Sequence, residues 1–406
     1  MTLKDTGLTK EQLIDTVDEY MMFLSPRYDL IADTAKDMSV FDEKGEEYLD
    51  FYGGIAVSSA GNCNPKVVEA ICKQAHELIH ASNYPYTVPQ GMLAKLICEN
   101  IGMEKIFFQN SGTEANEAMI KLARKYGTDN YGPNRYHIVT AKNSFHGRTY
   151  GALSATGQPD NGCQLGYKPV LPGFTYADFN DLESFKAACT EDTIAIMLEP
   201  VQGEGGVYPA TKEFMQGIRK FCDDNDMLLL LDEVQTGFGR TGSLMGYMDY
   251  DIKPDIVTMA KAMGGGMPIG AIASSAKVAK SFIGAHGSTY GGNPVCCAAS
   301  YAQVTEILEK NLSENAKVMG EYFMEQCGKL PYVKEVRGKG LLVGIEFTDK
   351  VTCAAVKHAC FDRKMLITAI GHNTIRMVPP LIVTKEQCDQ AISILEAAIL
   401  DAEKEA

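Results

Sequence analysis

The middle of the chain alternates short apolar runs of strand length with stretches of helical periodicity. The predicted strands are Lys105–Gln109, His137–Ala141, Thr193–Leu198, 227–232 and Ile256–Met259. Helical segments, such as residues 212–225, separate several of these strands. This alternation predicts a parallel sheet with helices on both of its faces. A predicted hairpin at 39–51 and an α+β segment after residue 332 predict a second, smaller domain built from both ends of the chain.

The charge balance excludes some classes of partner. The 406 residues include 38 Lys and Arg against 52 Asp and Glu, for a formal net charge of −14. A basic face is what nucleic acids and anionic membrane surfaces require, so neither is expected as a partner.

No apolar run is long enough to span a membrane. The charged N-terminal segment lacks the apolar core of a secretory signal, and the 12 Cys form no Cys-x-x-Cys pair. We therefore expect reduced thiols and a cytoplasmic protein.

One short motif resembles a metal site. His76 and His80 fit the pattern H-E-x-x-H, in which two histidines on one helical face bind zinc. No later segment supplies a third ligand at a known spacing. Residues 65–81 have helical periodicity, and an ordinary packed helix is the favoured interpretation. No metal is therefore expected, and zinc binding is kept as an alternative.

A turn between the first of these strands and the following helix has the composition of a phosphate site. Ser111, Gly112 and Thr113 stand where a helix begins. The free N–H groups and the positive dipole end of a helix N-terminus bind phosphate groups. Ordinary helix capping by Ser or Thr would give the same pattern, so this feature alone does not establish a phosphate site.

Two further residues follow predicted strands. Asp232 ends the Leu-rich strand, and Lys261 comes shortly after Ile256–Met259 and before three glycines at 264–266. Ligands of α/β proteins bind at such strand ends. A phosphate turn, a carboxylate and a lysine together are what pyridoxal 5′-phosphate (PLP) needs. The lysine binds the aldehyde covalently, the carboxylate keeps the pyridine nitrogen protonated, and the helix N-terminus binds the phosphate.

The same residues belong to longer segments that resemble the class III aminotransferases. The resemblance runs from about Val40 to Leu381. It rests on the segments NSGTEANEAMIKLARK from Asn110, SFHGRTYGALSATGQ from Ser144, EPVQGEGGV from Glu199, LDEVQTGFGRTG from Leu231, PDIVTMAKAMGGGMPIG from Pro254 and HGSTYGGNP from His286. This resemblance implies a PLP-dependent transferase fold, with a large, mostly parallel seven-stranded sheet domain and a small α+β domain from both termini. The implied domain limits are 1–59 and 306–406 for the small domain and 60–305 for the PLP-binding domain.

The resemblance also implies roles in the cofactor site. Lys261 would be the residue linked to the cofactor and would move the proton during catalysis, and Asp232 would pair with the pyridine nitrogen. Gln235 would bond the 3′-oxygen, while Phe145 and Val234 would cover the two ring faces. Further implied cofactor-binding residues are Ser111, Gly112 and Thr113 at the phosphate, together with His146 and Glu199. Thr289 would reach the phosphate of the neighbouring subunit, which implies a homodimer.

Two arginines match the substrate-carboxylate positions of this family. These are Arg148, in FHGRT, and Arg376, in IRMVPP. The guanidinium fork binds a carboxylate with two hydrogen bonds, which supplies local positive charge in an acidic protein. Glu204 matches the glutamate that masks the second arginine while an ω-amino donor is bound and releases it to 2-oxoglutarate. Structural ion pairs are the alternative interpretation of both arginines.

Within the family, the pattern is most similar to acetylornithine aminotransferases. That similarity implies transfer of an ω-amino group from N-acetylornithine to 2-oxoglutarate, by a ping-pong mechanism. Ser25 stands where ornithine-type members often have a substrate-contacting Tyr, so 4-aminobutyrate, 5-aminovalerate or another ω-amino acid is an alternative donor and pyruvate an alternative acceptor. A mutase or decarboxylase that uses the same fold and cofactor is an alternative reaction class.

Overall fold

The computed structural model describes residues 1–22, 27–160 and 163–404. In chain order, its strands are β1 Thr34–Lys36, β2 Ser39–Phe41, β3 Glu47–Asp50, β4 Lys105–Gln109, β5 His137–Ala141, β6 Phe174–Ala177, β7 Thr193–Leu198, β8 Val201–Gln202, β9 Tyr208–Pro209, β10 Leu228–Asp232, β11 Ile256–Met259, β12 Gly270–Ser274, β13 Val333–Lys339, β14 Leu342–Phe347, β15 Met365–Leu366, β16 Thr368–Ile370 and β17 Thr374–Met377.

The helices alternate with the strands of the central region. They are α1 Leu3–Thr6, α2 Lys10–Tyr20, α3 Gly53–Ala56 (a single turn with positive φ), α4 Pro65–Glu77, α5 Val88–Ile101, α6 Gly112–Tyr131, α7 Tyr150–Ala155, α8 Leu182–Ala188, α9 Lys212–Asp224, α10 Ala276–Ala279, α11 Pro294–Glu309, α12 Leu312–Cys327, α13 Cys353–Asp362 and α14 Lys385–Lys404. Short 3₁₀ helices cover Gly246–Tyr250, Lys261–Met263 and Lys280–Phe282.

The large sheet has the strand order β4–β12–β11–β10–β7–β5–β6. The four strands β11, β10, β7 and β5 are joined by parallel pairings, and β6 extends them in parallel at one edge. β12 runs antiparallel to both of its neighbours, β11 and β4. The expected α/β architecture with a mostly parallel seven-stranded sheet is confirmed.

The Leu-rich strand β10 shows how the sheet is buried on both faces. Leu228 and Leu230 belong to the apolar cluster beneath α6, whereas Leu229 and Leu231 belong to the main core on the opposite face. Successive side chains of a strand point to opposite faces, so a strand covered on both sides needs an unbroken apolar run. This requirement explains why β10 does not alternate apolar and polar residues.

The helix beginnings are encoded locally by capping residues. Asn64 accepts hydrogen bonds from the backbone N–H groups of Lys66 and Val67 at the start of α4. Asn293 does the same at the start of α11. In both helices a proline follows at the first position, where no intrahelical N–H bond is lost.

The two ends of the chain meet in a small sheet. β3 pairs with β2 in the N-terminal hairpin and, in parallel, with β15 near the C-terminus, where Leu49 lies opposite Met365. A second small sheet has the order β13–β14–β17–β16. The smaller α+β unit therefore contains residues from both termini, as expected from the sequence.

One predicted helix is shorter than its periodicity indicates. Residues 65–81 have helical spacing, but α4 ends at Glu77, and Leu78 adopts an extended backbone (φ −160°). The side chain of Gln74 donates to the Leu78 carbonyl at 3.0 Å, which satisfies one of the terminal acceptors of the helix.

Within the described ranges, no helix is both long and apolar enough to cross a bilayer.

Candidate active site

The carboxyl ends of β7, β10 and β11 meet at one edge of the large sheet. Glu199 directly follows β7, Asp232 is the last residue of β10, and Lys261 comes two residues after β11. All three side chains line one cavity of about 430 Å³. The strand order explains this meeting, because β10 lies between β7 and β11.

Most of the predicted site residues line this cavity. They are Ser111, Gly112, Thr113, Phe145, His146, Arg148, Glu199, Asp232, Val234, Gln235 and Lys261. Arg376 and Glu204 adjoin the cavity through hydrogen bonds to Gln235. Thr289 is exposed and lines a separate cavity of about 370 Å³. Ser25 lies outside the described residues.

Asp232 is a buried carboxylate with four hydrogen bonds. Its Oδ2 accepts from Asn116 Nδ2 at 2.7 Å and from His146 Nδ1 at 2.8 Å. Its Oδ1 accepts from the backbone N–H of Val234 at 3.0 Å and from Thr258 Oγ1 at 3.4 Å. Only 4% of the residue is exposed. Such a carboxylate is held in one orientation at the cavity wall, where it can stabilise a proton on a bound group.

The partners of Asp232 include two residues that the sequence analysis did not identify. Asn116 lies one helical turn after Gly112 in α6, and it also accepts a hydrogen bond from Thr258 Oγ1 at 3.0 Å. The i, i+4 spacing from Gly112 is the one signal that places Asn116 on the same helical face. No local pattern identifies Thr258, because its contact to Asn116 spans 142 residues of sequence.

Lys261 presents its amine to the cavity. Its Nζ forms no hydrogen bond or ion pair with any residue that the structure describes. Burial lowers the pKa of Lys261, although the nearby carboxylates, Glu204 first, oppose that effect. A lysine with a lowered pKa spends more time as the neutral amine, which is the form that attacks a carbonyl.

Glu199 is a second buried carboxyl group at the same sheet edge. Burial and the negative charge of Asp232 raise the pKa of Glu199 well above its ordinary value. The backbone N–H of Phe145 donates to its Oε2 at 3.1 Å. This contact ties the Phe145 loop to the end of β7.

The turn before α6 presents backbone N–H groups to the cavity. Ser111 caps the helix by accepting from the backbone N–H of Glu114 at 3.3 Å. The hydroxyl of Thr113 contacts that of Thr149 at 2.8 Å and accepts from the backbone N–H of Arg148 at 3.2 Å. The backbone N–H groups of Gly112 and Thr113, at the first two helical positions, have no intrahelical acceptor and are available to an anion.

Gly112 allows the close approach of two walls of the cavity. A Cβ at Gly112 would lie 2.6 Å from Cγ1 of Val234. On the other side of the turn, a Cβ at Gly270 would collide with the carbonyl oxygen of Ser111. Any larger side chain at Gly112 would therefore displace Val234 or the turn itself.

Arg376 and Glu204 form the predicted ion pair. Arg376 Nη1 donates to Glu204 Oε1, and also to Gln235 Oε1 at 3.1 Å. Burial alone would raise the pKa of Glu204, but the charge and hydrogen bond of Arg376 hold it below the ordinary value. Arg376 is 2% exposed, and its Nε has no partner among the described residues. A buried guanidinium with unused donors can bind a second carboxylate.

Arg148 differs from Arg376 because its guanidinium forms no ion pair with a described residue. The side chain is exposed at the mouth of the cavity, with Cζ 5.6 Å from the ring centroid of Phe145. The alternative of a structural ion pair therefore finds no partner for Arg148. An exposed arginine beside an aromatic wall can accept the carboxylate of an incoming molecule.

The histidines of the H-E-x-x-H motif do not share a helical face. His76 lies in the last turn of α4, whereas His80 lies beyond the helix end, with its ring 5.1 Å from that of Tyr290. In the ranges that the structure describes, no three His, Cys, Asp or Glu side chains are grouped to hold a metal ion. The geometry that the zinc alternative requires is absent from residues 76–80.

Comparison with known proteins agrees with this geometry. An acetylornithine aminotransferase from Caldanaerobacter subterraneus subsp. tengcongensis is 48% identical over 382 residues, covering 93% of this chain and 96% of the relative. The ornithine aminotransferase of Toxoplasma gondii, whose crystals with oxidized glutathione have partial PLP occupancy at the active site, superposes with a TM-score of 0.93 at 30% identity, covering 98% and 95% of the two chains.

A third protein, the acetylornithine aminotransferase of Elizabethkingia anophelis, superposes with a TM-score of 0.86 at 30% identity and covers 97% of this chain and 99% of its own. The family model described as aminotransferase class-III matches residues 24–399. From its sequence, its fold and the arrangement of its cavity, the chain belongs to the class III aminotransferases.

Proposed function

We propose that this protein uses PLP to move the ω-amino group of N-acetylornithine to 2-oxoglutarate, giving a semialdehyde and glutamate. The observation that carries the proposal is the amine of Lys261, which is unpaired within the described part of the chain and faces the same cavity as the buried carboxylate of Asp232. The 48% identity to an acetylornithine aminotransferase supports the choice of donor.

The residues present fit PLP. The cavity, of about 430 Å³, falls in the range of about 300–1,000 Å³ that is usual for small-molecule sites. Lys261 would bind the aldehyde, and Asp232 would pair with the ring nitrogen. Phe145 and Val234 would cover the ring faces, and Gln235 would donate to the ring oxygen.

The phosphate end of the cofactor would be held by α6. Ser111, Gly112 and Thr113 would offer backbone N–H groups and the positive end of the helix. The close contact between Gly112 and Val234 supports this arrangement, because the wall that covers the ring then adjoins the phosphate turn. His146 and Glu199 would support the ring through their contacts to Asp232 and to the Phe145 loop.

Bound PLP supplies the electron sink that stabilises a carbanion at the carbon bearing the amino group. With the cofactor bound, Asp232 would keep the ring nitrogen protonated. The Lys261 amine would hold and move the proton at the reacting carbon. Its pKa, lowered by burial, favours the neutral amine that must accept this proton.

Two arginines would bind the substrate carboxylates. Arg148 would hold the carboxylate at the cavity mouth for both substrates. Arg376 stays paired with Glu204 while N-acetylornithine is bound and exchanges this partner for the second carboxylate of 2-oxoglutarate. The shared hydrogen bonds of Gln235 to Glu204 and Arg376 support an exchange next to the cofactor site.

We further propose a homodimer in which Thr289 completes the phosphate site of the partner. Tyr84 and Tyr86 are almost fully exposed and Val88 is 78% exposed, and a contiguous exposed apolar segment of this kind is typical of a surface that a partner covers. Asn83 Nδ2 donates to the Ser288 carbonyl at 2.8 Å, so this apolar segment and the Thr289 loop form one surface.

A donor panel tests the reaction. N-acetylornithine, ornithine, 4-aminobutyrate, 5-aminovalerate and β-alanine are each offered with 2-oxoglutarate or pyruvate, and glutamate or alanine is measured. We expect the highest kcat/KM for N-acetylornithine with 2-oxoglutarate. A higher value for 4-aminobutyrate or 5-aminovalerate would contradict the proposed donor. Turnover without any 2-oxo acid would indicate a mutase or decarboxylase instead.

Mixing two inactive variants tests the dimer. Lys261→Ala and Thr289→Asp proteins are unfolded together and refolded so that subunits exchange. If Thr289 acts across the interface, one site of each mixed dimer is intact, and about a quarter of wild-type activity returns. Failure to regain activity, with each variant still dimeric, would contradict the role of Thr289 in the partner site.

A further inference from the structure

Arg337 in β13 is a buried guanidinium that joins three segments of the chain. Its Nε donates to the carbonyl of Gly206 at 2.8 Å, and its Nη2 donates to Thr374 Oγ1 at 3.2 Å. Its Nη1 donates to Glu346 Oε2 at 2.7 Å. The ring of Tyr208 lies 4.1 Å from its Cζ. The side chain is therefore fixed on all sides.

Arg337 contacts one residue close in sequence to each member of the candidate ion pair, Glu204 and Arg376. Gly206 comes two residues after Glu204, and Thr374 comes two residues before Arg376. One guanidinium thus binds next to the acid on one segment and next to the arginine on another.

The two segments are held with unequal strength. β17, which carries Arg376, pairs with β14 on one side and with β16 on the other. The β8–β9 hairpin, which carries Glu204 in its connection, forms a two-stranded sheet of its own. The position of Glu204 consequently depends on contacts such as the one between Arg337 and Gly206.

Close backbone packing supports this dependence. A Cβ at Gly344 of β14 would lie 2.8 Å from Cβ of Val207, so the hairpin packs directly against the sheet. Gly206 has φ +121°, a conformation that favours glycine. The hairpin therefore packs against β14 in a defined position, and the hydrogen bond from Arg337 to Gly206 stabilises that position.

We infer that Arg337 is a positioning residue for the exchange of Arg376 between Glu204 and a substrate carboxylate, an inference that rests on the proposed function. By binding Gly206, it keeps Glu204 within reach of Arg376. With N-acetylornithine bound, Arg376 then has a partner and is not left as an unpaired buried charge, which is costly. With 2-oxoglutarate bound, Glu204 gives way while the hairpin keeps its place.

Weakening the contact between Arg337 and Gly206 should change the binding of the two substrates in opposite directions. Arg337→Lys keeps the positive charge beside Glu346, but a single ammonium cannot reach Gly206 and Thr374 as the guanidinium fork does. The hairpin then moves away from β17, and Arg376 becomes more open to a second carboxylate. Loss of the Glu204 partner disfavours N-acetylornithine.

The experiment compares KM for both substrates and the Kd of glutarate, an unreactive dicarboxylate, measured by calorimetry on the PLP-loaded protein. In Arg337→Lys we expect KM for N-acetylornithine to rise and the Kd of glutarate to fall. The ratio of this KM to this Kd should rise by roughly tenfold, which corresponds to the loss of one hydrogen bond to a charged group. Changes in the same direction, or an unchanged ratio, would overturn the inference.

Lys334→Met is the matched control. Lys334 is exposed and also donates to Glu346, at 2.6 Å, but it donates no hydrogen bond to a described residue of the β8–β9 hairpin. We expect its ratio to equal that of the wild type. If Lys334→Met reproduced the shift, the charge around Glu346 and not the contact to Gly206 would be responsible, which would overturn the inference.

A double mutant separates positioning from general destabilisation. In a Glu204→Gln background, Arg337→Lys should add no further change to the ratio, because its effect acts through Glu204. A full additive shift in that background would overturn the inference. If Arg337→Lys does not fold, Thr374→Val removes the acceptor on β17 and should shift the ratio in the same direction. An unchanged ratio in Thr374→Val would then overturn it.

Failure of the proposed function has a different signature. A wild-type protein that does not turn over N-acetylornithine contradicts the proposed donor. The glutarate measurement does not use that donor, and the wild-type and Arg337→Lys proteins can still be compared by it. An equal glutarate Kd in the two proteins overturns the role of Arg337 alone.

Discussion

Asn116 Nδ2 lies 2.7 Å from Asp232 Oδ2 and also donates to the backbone carbonyl of His146 at 2.7 Å. One amide thus joins α6, the end of β10 and the loop that carries Phe145. The candidate phosphate turn, the candidate ring partner and the ring-covering loop form a single hydrogen-bonded unit. Buried networks of this kind hold their members in one arrangement because an unpaired polar group there is costly.

The first prediction concerns the charge of Asp232. Asp232→Asn preserves the shape of the side chain but cannot stabilise a proton on the ring nitrogen. We expect kcat/KM for N-acetylornithine to fall by roughly 10³, within the range of losses seen for proton-transfer groups. The rate of the first half-reaction, followed by cofactor absorbance, measures this effect.

Glu199→Gln is the matched comparison, since Glu199 is a buried carboxyl group at the adjacent strand end. The pKa of Glu199 is raised, which favours its neutral form, and the amide of Gln resembles that form. We expect a loss in kcat/KM that is much smaller than that of Asp232→Asn. Equal losses in the two variants would contradict a specific role for the Asp232 charge.

The second prediction concerns the close contact at Gly112. Because a Cβ there would lie 2.6 Å from Val234 Cγ1, Gly112→Ala should displace the wall of the cavity. We expect the Kd of PLP to rise by roughly tenfold or more, because displacing this wall costs about 1.4 kcal/mol or more of binding free energy. Titration of the apoprotein with PLP measures the Kd.

Gly91→Ala provides the control for this substitution. A Cβ at Gly91, in α5, would meet no atom of the described residues within 4 Å beyond its own helical backbone, so alanine fits there without displacement. We expect unchanged PLP affinity and a free energy of unfolding that is unchanged or higher by up to about 1 kcal/mol. A Gly112→Ala protein with the same PLP affinity as Gly91→Ala would refute the packing argument.

The third prediction concerns the pH dependence of stability. Burial raises the pKa of Glu233 from its ordinary 4.5 to about 7, although Thr236 and the backbone N–H groups of Gly246 and Tyr247 donate to it. Between these pH values the folded protein binds more protons than the unfolded chain. The contribution of Glu233 to the free energy of unfolding is therefore present below pH 4.5 and is lost as the pH rises through 7.

Glu233→Gln should remove this dependence. Relative to the variant, the wild-type apoprotein should lose at most roughly 3 kcal/mol of unfolding free energy between pH 4.5 and 7. Urea unfolding at several pH values measures the difference, because the other titrating groups are the same in both proteins. Parallel pH profiles would contradict the raised pKa of Glu233.

Local patterns predict much of the site from the sequence. Asp232 and Lys261 follow apolar runs of strand length, and Ser111 stands between a strand and a helix. Such signals depend on a few neighbouring residues, and the strand order then brings them to one sheet edge. The class of fold follows from the same alternation of strands and helices.

Contacts between distant parts of the chain could not be predicted in this way. Thr258 and Asn116 are 142 residues apart, and Arg337 and Gly206 are 131 residues apart. Their side chains meet only after the sheets have formed. The early end of α4 is likewise accompanied by a side-chain bond, from Gln74 to the Leu78 carbonyl, which periodicity does not reveal.

The reaction proposed for this protein requires the Lys261 amine to be the point of covalent attachment for PLP. The PLP-loaded protein, which should absorb at roughly 400–430 nm as the lysine-linked cofactor does, is reduced with borohydride, digested and mapped by mass spectrometry. We expect a pyridoxyl phosphate group on Lys261 and loss of the absorbance band in Lys261→Ala. Attachment at another lysine, or a Lys261→Ala protein with wild-type turnover, would contradict it.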